Sequence, residues 1–146
     1  MAPNCILAFA GDEADMKEAI ITIKEQVNHA HANDLEPPTA KEIHGTLALQ
    51  SYEARNEGKP ILNNFLVAGP RFLGAVDVFG MSFEPQYYAS SIGRYYCVPL
   101  MRAKWNAQMT HEEAVVLAED CVRLMWYNDC LASKEYDLWA VTSAGI

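Results

Sequence analysis

The hydrophobic and polar residues of this chain follow two different periods, one typical of helices and one typical of strands. Apolar residues three and four positions apart share one face of a helix, whereas alternate apolar residues share one face of a strand. This spacing predicts a first helix over residues 12–31, with Asp12 as its N-cap and Glu13 and Asp15 near the positive end of the helix dipole. Its apolar positions are Met16, Ala19, Ile20, Ile23, Val27 and Ala30.

Three further helices are predicted later in the chain. Residues 39–42 and 110–113 each place a threonine three positions before a glutamate, the arrangement of a capping box at a helix start. Residues 90–93 lead into another helical segment that is predicted to end near Gln108, and we expect Ser90 or Ser91 to be its N-cap. The helix that begins after the second capping box has an apolar stripe at Ala114, Leu117, Ala118, Cys121 and Met125.

Short runs of apolar and β-branched residues predict the strands. The first run is wholly apolar and ends at a glycine, so we expect a buried strand there. The second and third are joined by Gly-Pro-Arg, which predicts a hairpin. The last run alternates, with Leu138 and Ala140 on one face and Trp139 and Val141 on the other. In chain order the predicted strands cover residues 5–10, 64–68, 72–78, 81–88 and 137–142.

The order of these elements predicts the fold class. Pairs of helices alternate with antiparallel strands, which indicates an α+β fold in which helix layers pack on sheet. The polar or proline-containing stretches at residues 34–38 and 56–60 each separate two periodic segments and are predicted to be loops. With 146 residues, we expect one domain over residues 1–146.

Composition and charge exclude several classes of partner. The formal net charge is −8 and the basic residues are scattered, so a nucleic-acid partner is not expected. No apolar run approaches the length of a membrane span, and the first ten residues do not have the pattern of a signal peptide. The four cysteines have no metal-binding spacing, so we expect free thiols in a reducing compartment.

No local motif predicts a metal or a nucleophile. His29 and His31 are two positions apart on a predicted helix, so they point away from each other and do not form a metal site with Asp34. Ser91 lies two positions before a glycine but lacks the leading glycine of a nucleophile elbow. We therefore expect no metal and no cofactor.

Several strings, taken in order, resemble the β-type subunits of the eukaryotic proteasome core particle, most of all the non-catalytic beta type seven class. No single string is specific, but their order and spacing extend over nearly the whole chain. The strings are residues 10–15 at the first helix, Ile43-His44, residues 63–69, residues 72–80, residues 89–95, residues 117–129 and residues 140–142.

The resemblance implies a four-layer αββα sandwich of the N-terminal-nucleophile hydrolase type, lacking the first strands. Active members of that family begin with a threonine whose hydroxyl attacks the peptide and whose α-amino group helps as base. By this alignment, the strands that carry the threonine, an aspartate and a lysine precede residue 5. The first threonine here is Thr22, inside a predicted helix. Cys5 lies in an apolar strand and is expected to be a buried core thiol.

The other family site positions are also changed. Where active members have a serine in a glycine-serine loop, this chain has Ile92, which carries no hydroxyl. Active members have an aspartate and a following serine after the fourth helix. Asp129 matches the aspartate, but Ala132 falls at the serine. We therefore expect no complete catalytic site, and a helix-terminal or loop role for Asp129.

The resemblance implies a non-catalytic, structural subunit of the proteasome β ring that positions active neighbours in ATP- and ubiquitin-dependent protein degradation. The expected partners are other β subunits, α-ring subunits and the opposite β ring, in the cytoplasm and the nucleus. Two alternatives remain open. The chain could belong to an active threonine peptidase whose N-terminal part precedes this sequence. It could also be a freestanding α+β interaction domain that uses Tyr87, Tyr88, Tyr95 and Tyr96 as contact residues.

Overall fold

The computed structural model describes residues 4–142 and 145–146, which contain four helices and four strands. In chain order they are β1 (Ile6–Gly11), α1 (Glu13–Ala32), α2 (Ala40–Asn56), β2 (Asn63–Gly69), β3 (Phe72–Val76), β4 (Ser82–Phe83), α3 (Gly93–Lys104) and α4 (His111–Asn128). This is the predicted α+β order up to the end of α4.

The chain divides into two compact units. Residues 4–86 together with 139–142 and 145–146 form a sheet unit, which holds β1 to β4, α1 and α2. Residues 87–138 form a helical unit, which holds α3 and α4. The expectation of one domain over residues 1–146 stays a prediction.

The sheet is antiparallel, with the strand order β1-β2-β3-β4. Phe65 of β2 lies opposite Phe9 of β1 on one side and Val76 of β3 on the other. The predicted hairpin between β2 and β3 is confirmed, with Arg71 in its turn at a φ of 61°. Such a left-handed conformation at the second turn residue follows proline in type II turns.

One face of the sheet and the two helices of the sheet unit enclose the core. Side chains alternate along β2, so that Phe65 and Val67 point to the same buried face. Ile43 and Leu47 of α2 and Ile23 of α1 complete this cluster, and all five are at most 2% exposed. Burying a side chain of this size stabilises the fold by roughly 1.5–3 kcal/mol.

The predicted starts of α1, α2 and α4 are confirmed. The Oδ1 atom of Asp12 accepts hydrogen bonds from the amides of Ala14 at 2.8 Å and Asp15 at 3.1 Å. Both capping boxes form, with the threonine hydroxyls of Thr39 and Thr110 accepting from the amides three residues later. Local hydrogen bonding within four residues was enough to predict these boundaries.

The prediction for the third helix was wrong in its N-cap and in its end. The helix runs from Gly93 to Lys104 rather than ending near Gln108, and its N-cap is Ile92, with no side-chain cap, rather than Ser90 or Ser91. Ser91 has a φ of 53°, and its carbonyl accepts from the amide of Arg94. A backbone turn therefore replaces the predicted serine cap. The helix ends where Trp105 turns to an extended conformation.

Two predicted strands are shortened or lost. The strand expected over residues 81–88 is limited to Ser82–Phe83, because Pro85 and the segment that follows pair with no strand in the described chain. The strand expected over residues 137–142 is reduced to one bridge, between Thr142 and Gly145. Alternating side chains allow a strand, but a strand also needs a neighbour for its backbone hydrogen bonds.

The first strand is less buried than predicted. It spans Ile6–Gly11, one residue later than expected, and Phe9 is 41% exposed. The strand lies at the edge of the described sheet, beside β2. Only Cys5, just before the strand, is fully buried as expected, with 2% of its surface exposed.

Candidate functional site

The helical unit brings the three family site positions, Ile92, Asp129 and Ala132, to one end of a helix pair. A Cβ atom on Gly93, the first residue of α3, would lie 3.9 Å from the Sδ atom of Met125 in the last turn of α4. One turn further along α3, Cys97 contacts Cys121, one turn earlier in α4. The two helices are therefore antiparallel, and the start of α3 meets the end of α4.

Ile92 is the N-cap residue of α3, at that meeting point. Its backbone is in the helical region, with φ −64° and ψ −26°, and its side chain makes no capping hydrogen bond. The side chain is 43% exposed. Since isoleucine has no hydroxyl, this position can neither donate nor accept a proton as a serine could.

Asp129 is held in the turn that ends α4. Its amide donates to the carbonyl of Met125 at 2.8 Å, and its Oδ1 atom accepts from the amide of Leu131 at 3.0 Å. Its carbonyl accepts from the amide of Ala132 at 3.1 Å. The carboxylate thus stabilises the turn, and the methyl group of Ala132 adds no hydrogen-bonding group.

Neither the first threonine of the chain, Thr22, nor the buried thiol of Cys5 is placed to act as a nucleophile. The hydroxyl of Thr22 donates to the carbonyl of Glu18 within α1 at 3.3 Å. Cys5 belongs to the core of the sheet unit, and burial raises the pKa of its thiol. A nucleophile needs an accessible atom with a base beside it, and neither residue has both.

The histidines of α1 do not form a metal site with their neighbours. His29 and His31 lie exposed in the last turn of the helix. Within residues 4–142 and 145–146, no three His, Cys, Asp or Glu side chains come together as metal ligands. No helix in the same residues is long and apolar enough to span a membrane.

Exposed apolar side chains surround the helix-pair end. Tyr95 in the first turn of α3 and Tyr127 in the last turn of α4 are each 77% exposed, and Leu131 is 89% exposed. Of the four tyrosines expected to make contacts, only Tyr95 is this exposed. Tyr87 packs against the Trp105 ring with 5.9 Å between centroids, and Tyr88 is only partly exposed.

Tyr127 and Leu131 were not predicted from the sequence. Tyr127 falls outside the apolar stripe predicted for α4, and Leu131 follows the end of that helix. Both are apolar residues that lie outside the stripe, and this feature of the sequence could have identified them as surface residues. A single exposed apolar residue is common on protein surfaces. Such residues indicate an interaction surface only when the structure places several of them at one end of the helix pair.

The four helices and the antiparallel sheet form a mixed α+β protein, and this architecture is consistent with the N-terminal-nucleophile hydrolase fold of proteasome subunits. Within that class, the family model described as "Proteasome subunit" matches residues 1–141. The chain therefore belongs to the proteasome subunit family, and the resemblance inferred from its strings is confirmed.

Known relatives of the chain are eukaryotic β-type subunits. It is 29% identical over 148 residues to "Proteasome subunit beta type-4" of Arabidopsis thaliana, covering 98% of this chain and 60% of the relative. It is 29% identical over 148 residues to the protein of that name from Dictyostelium discoideum, covering 97% of this chain and 57% of the relative. It is 27% identical over 154 residues to "Proteasome subunit beta type-7" of Saccharomyces cerevisiae, covering 92% of this chain and 56% of the relative.

These alignments extend over almost the whole chain but over a smaller part of each relative. The chain spans 60% of the Arabidopsis protein and 57% of the Dictyostelium protein. The relatives carry both the type-4 and the type-7 designation. The beta type seven class named from the sequence is thus represented among them, beside type-4 proteins.

Proposed function

We propose that this chain is a non-catalytic, structural subunit of the β ring of the proteasome core particle. The observation that carries the proposal is the pair of positions at the helix-pair end. Ile92 and Ala132 lack the hydroxyls that the family resemblance places there in active members, and the Asp129 carboxylate accepts a hydrogen bond from the backbone amide of Leu131 in a turn. A site without these groups has little to align or activate a nucleophile.

In this role the chain supports proteolysis by holding active neighbours in place. Its partners would be other β subunits, α-ring subunits and the opposite β ring. Tyr95, Tyr127 and Leu131 support this, since large exposed apolar side chains at one end of a unit favour burial against another protein. In a eukaryotic cell we expect the protein in the cytoplasm and the nucleus, which fluorescence of a tagged protein would test.

Native mass spectrometry of the affinity-tagged protein tests the assembly. We expect the tagged chain in a particle of many different proteasome subunits. A chain that is recovered only as a monomer would contradict the proposal and favour a freestanding interaction domain.

An activity-based probe that reacts with N-terminal threonine tests the absence of catalysis in the same particles. We expect the probe to label other β subunits and to leave this one unlabelled. Those labelled subunits are the control for probe reactivity. Covalent labelling of this subunit would instead favour an active peptidase.

A further inference from the structure

Two of the four cysteines face each other in the helical unit. The Sγ atom of Cys97 on α3 lies 3.7 Å from the backbone carbonyl oxygen of Cys121 on α4 and donates to it. The neighbouring Cys97 thiol also contributes to the raised pKa of the Cys121 thiol. One turn away on both helices, Gly93 lies beside Met125. The cysteines therefore belong to the row of residues along which α3 and α4 are in contact.

The two thiols differ in their access to solvent. Cys97 is 5% exposed, whereas Cys121 is partly exposed. Cys121 also lines a cavity of about 340 Å³ that lies between α3, α4 and the loop joining them, with Trp105 and Met109 on its other walls. A small oxidant can therefore reach Cys121 more readily than Cys97.

We propose that Cys97 and Cys121 are a redox modification site, at which peroxide produces a reversible disulfide that joins α3 to α4. The site is separate from the positions discussed for proteolysis, and it does not depend on whether the subunit is catalytic. Both thiols are free in the structure, so the chain is in the reduced state of this pair.

The chemistry of the pair balances with hydrogen peroxide as the two-electron oxidant. The Cys121 thiolate attacks one peroxide oxygen, the O–O bond breaks, and hydroxide leaves to become water, which gives a sulfenic acid at Cys121. The sulfur of Cys97 then attacks the sulfenic sulfur, the S–S bond forms, and a second water leaves. Two thiols have lost two electrons and two protons, and one peroxide has become two waters.

The surroundings of the two thiols set the rate at which peroxide oxidises them. Burial, the neighbouring Cys97 and the charge of Asp120 together raise the pKa of Cys121 to about 11. Burial also raises the pKa of Cys97. Because only the thiolate attacks peroxide, the reaction is slow near neutral pH. At pH values below 11, the rate should rise about tenfold for each unit by which the pH is increased.

Peptide mapping of the oxidised protein in its native assembly tests the proposal. The background is Cys130→Ser, which removes the exposed thiol that would react first. After peroxide at pH 8 and alkylation, a non-reducing digest should contain the Cys97 peptide joined to the Cys121 peptide. Dithiothreitol should reverse the link. Cross-linking should be about tenfold faster at pH 9 than at pH 8.

Variants of single cysteines identify the order of attack. In Cys97→Ser, dimedone should trap a sulfenic acid at Cys121, because no second thiol resolves it. Cys5→Ala is the matched control, since Cys5 is also buried but lies in the sheet unit, and the cross-link should be unchanged in it. The proposal is overturned if both thiols remain alkylatable after peroxide, or if Cys121 joins a different partner while Cys97 stays reduced. The mapping of the parent protein decides this even if Cys97→Ser does not fold.

Discussion

At the scale of single residues, Gly11 and its neighbours fix the turn from β1 into α1. Gly11 has a φ of 147°, and a Cβ atom there would collide with the carbonyl oxygen of Leu62. The Asn63 side chain donates to the carbonyl of Asp12 at 2.9 Å, and Asp15 accepts from the amide of Leu62 at 2.8 Å. The end of β1 is thereby tied to the start of β2.

Replacing Gly11 by alanine should strongly destabilise the sheet unit. The added methyl group meets backbone rather than a flexible side chain, and alanine disfavours the required φ. We expect Gly11→Ala to lower the free energy of unfolding by about 3 kcal/mol or more, as measured by urea denaturation of the purified protein.

Gly45 provides the matched control for this substitution. It lies in α2 at an exposed position, and a Cβ atom there would meet nothing within 4 Å. Gly45→Ala should therefore stabilise the protein by up to about 1 kcal/mol, because alanine is the better helix former. If the two substitutions changed the free energy of unfolding equally, the close backbone contact at Gly11 would not be the cause of the destabilisation.

At the scale of elements, the two capping boxes set where α2 and α4 begin. In the first box the Glu42 carboxylate accepts from the backbone amide of Thr39 at 2.7 Å and from its hydroxyl at 2.8 Å. These hydrogen bonds, the one from the backbone first, hold the pKa of Glu42 below its ordinary value of 4.5. The charged form of Glu42 is therefore the form that stabilises the helix start.

Removal of the Thr39 hydroxyl should cost about 1 kcal/mol of stability near neutral pH. Because the pKa of Glu42 is lowered in the folded state, the charged carboxylate of Glu42 contributes to folding stability above pH 4.5. This contribution is lost as the pH falls through the lowered pKa of the folded state. The difference between the parent protein and Thr39→Ala should therefore shrink between pH 6 and pH 3 in denaturant unfolding.

Thr39→Ser is the control for the capping box, since serine keeps the hydroxyl. It should unfold within a few tenths of a kcal/mol of the parent protein at both pH values. A difference between Thr39→Ala and the parent that grows toward pH 3 would contradict the role given to the charged Glu42.

At the scale of the whole molecule, much apolar surface remains exposed. Leu131, Tyr95 and Tyr127 are more than three-quarters exposed at the helix-pair end, and Met81 and Ile21 are over half exposed in the sheet unit. A soluble monomer rarely exposes a large contiguous apolar patch. This surface supports the proposal that the chain assembles with other subunits.

The double variant Tyr127→Glu/Leu131→Glu tests whether the helix-pair end is an interface. Both side chains are mostly exposed, so we expect the unfolding free energy to change by no more than about 0.5 kcal/mol per substitution. Incorporation into the particle should fall at least about tenfold, because each buried charge at an interface is costly. Quantitative mass spectrometry of purified particles measures the incorporation.

Lys24→Glu is a control of similar charge change on an exposed face of α1. It should be incorporated like the parent protein. If the double variant were incorporated like the parent protein, the helix-pair end would not be one of the proposed interfaces. If the double variant unfolded as a monomer, the two side chains would instead contribute to the stability of the fold.

The sequence alone determined the local features of this protein. Asp12, Thr39 and Thr110 marked their helix starts because a cap depends on hydrogen bonds within a few residues. The hairpin of β2 and β3 was predictable for the same reason. The sequence also showed that Ile92 and Ala132 lack hydroxyls, because that is a matter of residue identity.

Only the tertiary structure decided features that depend on distant neighbours. Residues 137–141 alternate like a strand, yet no strand of the described chain pairs with them. Helix-pair packing brought Ile92 and Asp129 to one end, left Tyr127 and Leu131 exposed, and set Cys97 against Cys121. Burial and pairing are long-range properties, since they are fixed by which elements meet and not by the residues next to each position.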